Sequence, residues 1–102
     1  MDLKSRARGV NLEDTVTVSE NVVFREVDGE TVLLDLGSGV YFGLNATGTR
    51  IWQLLKQGSL RTILDLLKQE YDMPSEALKG DVLQLVQRLY EKNLVSIIQT
   101  EG

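Results

Sequence analysis

The sequence predicts an α+β domain, winged helix-turn-helix-like, with a three-stranded antiparallel meander followed by three helices. Three observations predict it. Residues 21–44 are rich in β-formers and are broken by two glycine turns, Asp28-Gly29 and Gly37-Ser38-Gly39. From Asn45 onward the apolar spacing changes from a period of two to one near 3.6. The chain has 102 residues, fewer than the roughly 150 of an average domain, so one compact unit is the limit.

Residues 1–20 are polar and mixed in charge, with Lys4, Arg6 and Arg8 ahead of Glu13 and Asp14. No period is sustained there, which predicts a flexible N-terminal arm. Within it, residues 15–18 alternate and are compatible with a brief strand. The main domain is expected over residues 21–98, with a short tail over 99–102. Val22, Val23, Phe24 and Val27 mark the first strand of the meander. Asp28-Gly29 then supplies the positive φ that a tight hairpin needs. Over residues 31–36, Val32, Leu34 and Leu36 share one face, with Leu33 and Asp35 on the other. Val40, Phe42 and Leu44 of the third strand point one way, and Tyr41 and Gly43 the other. That strand follows directly from the second, so it lies at a sheet edge with unpaired N–H and C=O groups.

Asn45 is a good N-cap for a helix over residues 46–57, with Ile51, Leu54 and Leu55 on its apolar face and Trp52 close by. Gly48 inside that helix costs up to about 1 kcal/mol relative to Ala, which predicts close packing against another backbone. Gly58 fits the helix stop, and Ser59 caps a second helix that Pro74 terminates. Ser75 caps a third helix over residues 76–92, and Asn93 occupies its left-handed stop. On this helix Leu78, Val82, Leu85 and Leu89 form one stripe. One shoulder of the stripe carries Leu83, Val86 and Tyr90. The other carries Asp81, Arg88 and Lys92. Residues 94–98 read as a final strand or a packed tail.

Composition narrows the chemistry. The chain has no Cys and no His, which removes thiolate nucleophiles, the usual zinc ligands and the commonest neutral-pH acid/base. Glu13-Asp14 and the Glu70/Asp72 pair could in principle do carboxylate chemistry, but neither sits in an apolar run that would shift a pKa. They read as solvated surface. Gly37-Ser38-Gly39 lies between strands, without the helix and Lys of a phosphate loop. The sequence predicts no enzyme and no cofactor. A winged-helix DNA-binding or adaptor protein is the alternative, with the third helix reading bases. The formal net charge of −4 and the lack of a Lys/Arg cluster argue against it, predicting neither a nucleic-acid nor a membrane partner. No apolar run reaches the roughly 18 residues of a membrane span, and MDLKSRARG at the start has no apolar stretch behind it. A cytoplasmic protein is expected. The third strand instead fits β-augmentation, in which a peptide adds as a strand and side-chain pockets give specificity.

Leu34-Asp35-Leu36, then VYFGLNATGTRIWQLL from Val40 to Leu55, resemble the PqqD-like family of peptide chaperones. Asp81-Val82 with Leu85, Val86 and Leu89, ahead of Asn93-Leu94-Val95, extends the likeness. These are the recognition elements for precursors of ribosomally made, modified peptides. The resemblance implies three antiparallel strands, three helices and no catalysis. It implies binding of a precursor's leader segment on the third strand, beside the third helix. It also implies presentation to a modifying enzyme, often a radical S-adenosylmethionine enzyme, as in pyrroloquinoline quinone synthesis, or to a leader peptidase in lasso-peptide systems. Carried to this sequence, the peptide-binding residues are Val40, Tyr41, Phe42, Gly43 and Leu44 on the strand, with Asp81, Leu85, Arg88 and Leu89 on the helix. The Leu83/Tyr90 shoulder is the alternative helix face. A monomer or an edge-paired dimer fits the exposed strand. Asn93 replaces the family's usual Gly, and the arm is longer than that pathway's D protein requires.

Overall fold

The computed structural model describes residues 9–98. The expected tail over 99–102 and the basic start of the arm lie outside the described residues. Five strands run β1 Val16–Val18, β2 Val22–Val27, β3 Glu30–Asp35, β4 Tyr41–Leu44 and β5 Val95–Ile97. Three helices run α1 Ala46–Leu54, α2 Leu60–Glu70 and α3 Ser75–Glu91.

The meander forms as its turns dictate. Asp28 and Gly29 both take positive φ, 54° and 82°, so Val27 pairs with Glu30 across a two-residue turn. Asp35 faces both Gly39 and Val40: the Gly39 N–H donates to the Asp35 carbonyl, and the Asp35 N–H donates to that of Val40. The Asp35 carboxylate also accepts from the Gly37 N–H and the Ser38 hydroxyl. The sheet order is β2-β3-β4, all antiparallel. Its inner face carries Leu33, Phe42 and Leu44 into the core. Phe24, on the same face at the β2 edge, meets Trp52 edge-on at 5.7 Å. The outer face keeps Val23, Val32 and Tyr41 exposed.

The helices close over the inner face. The Asn45 side chain accepts from the Gly48 N–H at 2.8 Å and opens α1. The α-helix stops at Leu54, and Leu55–Gln57 tighten into a 3-10 turn, so the expected end at Gln57 includes a change of helix type. Ser59 caps α2 as predicted. In α3, Pro74 takes the cap position and Ser75 is the first helical residue. Asn93 has φ 64°; its N–H reaches the Tyr90 carbonyl and that of Leu94 reaches Leu89, the two bonds of a Schellman stop. The buried stripe of α3 is Leu78, Val82, Val86, Leu89 and Tyr90, rotated from the expected one. Leu85 is only half-buried because the core sits toward the Val86/Tyr90 shoulder. A buried hydroxyl pair, Thr31 and Thr49 at 2.8 Å, ties β3 to α1.

The described part of the expected arm is built into the domain. β1 pairs antiparallel with β5, Thr17 opposite Ser96, and Val16 is 4% exposed. The carbonyls of Asp14 and Leu12 accept from the N–H groups of Leu60 and Arg61, which the first turn of α2 leaves without helical partners. The Val10 N–H donates to the Gln87 side chain on α3 at 2.7 Å. Residues 9–20 are therefore a structural strap rather than a flexible arm. Their scattered apolar residues pack singly, which is why no period was visible.

Candidate functional site

β4 is an edge strand, and its backbone polarity follows from the turns. Val27 and Glu30 close the first hairpin, so in β3 the groups of Glu30, Val32 and Leu34 bond toward β2. Those of Thr31, Leu33 and Asp35 then bond toward β4, meeting Leu44, Phe42 and Val40. The N–H and C=O groups of Tyr41 and Gly43 are left pointing outward from the open edge.

A groove of about 250 Å³ lies beside that edge. Phe42, Gly43 and Leu44 form its strand wall, and Asp81, Gln84, Leu85 and Arg88 its helix wall. Asn45, Thr47, Gly48 and Ile51 form the end and floor. Gly48 permits this approach. A Cβ there would stand 3.3 Å from the Asn45 cap oxygen, 3.4 Å from Leu44 Cβ and 3.5 Å from Leu85 Cδ2. Gly48 is closely packed, but against side chains rather than the backbone expected, and this packing shapes the groove. The Arg88 guanidinium lies 5.0 Å from the Phe42 ring centroid, and Lys92 Nζ lies 5.9 Å from it.

Of the nine residues expected to form the site, six line this groove: Phe42, Gly43, Leu44, Asp81, Leu85 and Arg88. Tyr41 contributes outward backbone groups, but its side chain, 69% exposed, stands on the opposite sheet face. Val40 precedes the strand and closes the hairpin. Leu89 is fully buried in the core, so it supports the groove without lining it. The helix shoulder beside β4 is that of Asp81 and Arg88. Val86 and Tyr90 of the other shoulder are buried. Sequence reasoning missed Asn45, Thr47, Gly48, Ile51 and Gln84 as lining residues. The run of small residues at 45–49 was the available signal.

The other candidates are structural. Arg50 on α1 grips the Glu70 carboxylate with two bonds of 2.8 and 2.7 Å. Those hydrogen bonds hold the Glu70 carboxyl below the ordinary carboxylate range. Glu13 takes Arg61. Among the described residues no group of three or more acidic side chains is placed to hold a metal, and no helix is long and apolar enough to cross a membrane.

The family model for Coenzyme PQQ synthesis protein D (PqqD) matches residues 30–95. The chain belongs to the PqqD family. The matched span includes β3, β4 and all of α3, so it holds both walls of the groove. Two solved structures are similar. One, TbiB1 in complex with the TbiA(beta) leader peptide, is 35% identical with a TM-score of 0.72, covering 82% of this chain and 99% of that one. The other, lasso peptide synthetase B1 complexed with the leader peptide, is 29% identical with a TM-score of 0.70, covering 79% and 96%. No relative among the curated proteins matches. The PqqD fold, three antiparallel strands with three helices, is the one the sequence predicted. This chain also carries β1, within the strap, and β5.

Proposed function

We propose that this protein is a non-enzymatic recognition module that binds the leader segment of a ribosomally made precursor peptide. The observation that carries the reading is the open β4 edge with a groove along it. The outward N–H and C=O groups of Tyr41 and Gly43 offer the backbone partners that strand addition requires. Phe42, Leu44, Leu85 and Ile51 add apolar contacts to a groove also lined by the polar Asn45, Thr47, Asp81, Gln84 and Arg88. PqqD membership and two similar proteins solved with leader peptides support the same reading.

In this reading the domain holds the leader and presents the rest of the precursor to a modifying enzyme. That enzyme is a radical S-adenosylmethionine protein or a leader peptidase. The domain contributes no reacting group. Its role is to raise the local concentration of the precursor at its partner.

The test is a fluorescence-anisotropy titration of labelled TbiA(beta) leader peptide with this protein. Saturable binding that survives a tenfold excess of duplex DNA is expected. No binding at millimolar protein, or displacement by duplex DNA, would overturn the reading.

A further inference from the structure

The groove is electrically polarised along its length. Arg88 and Lys92 converge on the Phe42 ring, at 5.0 and 5.9 Å. Leu85, one turn back along α3, stands level with Gly48 and Leu44. Asp81 lies one turn farther, about 10 Å from Arg88 at 1.5 Å per residue. So α3 runs opposite to β4, with two cations at the Phe42 end and a carboxylate beyond Leu44. Among the described residues neither Arg88 nor Lys92 has a carboxylate partner, and Asp81 has no cationic one. The nearby Glu91 carboxylate accepts from Gln87 instead, at 3.0 Å. In a chain of net charge −4, two cations held against one ring without an acid form a prepared anion contact. Cation–π contact fixes their heads where a strand added to β4 would pass.

Resting on the leader-binding reading above, we infer that the groove selects peptides carrying an Asp or Glu where the added strand passes Phe42. The carboxylate is taken by Arg88 and Lys92. This contact fixes the register of the peptide, which backbone pairing alone leaves free to slip in steps of two residues. Asp81 opposes an acidic residue at the other end, so a shifted or reversed acidic peptide loses both contacts.

The test is a scan of the TbiA(beta) leader peptide in which a single Glu, and separately a single Lys, replaces each residue in turn. Affinities are measured against the wild-type protein, Arg88→Gln/Lys92→Gln and Arg88→Glu/Lys92→Glu. For the wild type, Glu should beat Lys by about three- to fivefold at one position or two alternate ones, the range of an exposed ion pair. The preference should vanish in the Gln variant and invert in the Glu variant. The Gln variant keeps the result readable if the Glu variant unfolds. A flat scan with the wild type, or a Glu preference that persists in the Gln variant, would overturn the charge assignment while leaving leader binding intact. Failure of every peptide to bind the wild type would overturn both.

Discussion

Replacing Gly43 by Pro separates strand addition from every other way a peptide could occupy the groove. The Gly43 N–H points out from the open edge, while the neighbouring Phe42 and Leu44 bond to β3. Proline therefore removes a donor that the native ladder does not use, and edge positions of this kind tolerate it. Phe42, the residue before it, is already extended, as a residue preceding proline must be. A Cβ at Gly43 meets nothing within 4 Å, so space is not the obstacle. One lost backbone hydrogen bond is worth about 0.5–1.5 kcal/mol net. At 1.4 kcal/mol per decade, affinity for the TbiA(beta) leader peptide should fall roughly two- to twelvefold. Gly43→Ala is the control: it fills the same open space and keeps the N–H, so affinity should stay within about twofold. Calorimetric titration reads both, with circular dichroism to verify the fold. A folded Gly43→Pro protein that binds like the wild type would refute pairing at this edge.

Three further outcomes test the fold. Thr31→Val leaves the Thr49 hydroxyl without its buried partner and should cost about 1–3 kcal/mol in urea unfolding; a neutral result would mean that the pair is dispensable. Val16→Ala should cost about 2 kcal/mol, lowering the melting temperature by about 10 °C, because Val16 is a core residue. A flexible arm would show no change. The Arg50–Glu70 pair adds stability that is present above the ordinary Glu range and lost as pH falls through the depressed Glu70 value. Both side chains are exposed, so the effect is small, and Glu70→Gln should remove that part of the acid dependence of the melting temperature.

What the sequence made legible was local. Asp28-Gly29, the alternation of β3 and β4, the caps Asn45 and Ser59 and the left-handed Asn93 each act through neighbouring residues, and each stands where predicted. What it hid was long-range. β1 and β5 are three-residue strands almost eighty positions apart, with no turn to announce their pairing. The stripe on α3 could be centred on Leu85 or on Val86, because both sets satisfy the helical period. In the structure its core face is centred on Val86 and Tyr90. That rotation buries Val86 and Tyr90 and leaves Leu85 half open at the groove, while Leu89 belongs to both sets. The strand wall was legible by alternation, although alternation also sends the Tyr41 side chain to the far face. Thr47 and Ile51 entered the site through the close approach of α1, which Gly48 signalled only as packing.

The central claim is that a leader peptide adds to β4 and lies against α3. The most direct measurement is an NMR titration of the isotope-labelled protein with the TbiA(beta) leader peptide. Saturable amide shifts concentrated on residues 41–45 and on 81–92, with new protection of the Tyr41 and Gly43 amides from exchange, are the predicted result. Shifts confined to the outer sheet face around Val23 and Val32, or unaltered Tyr41 and Gly43 exchange at saturation, would contradict it.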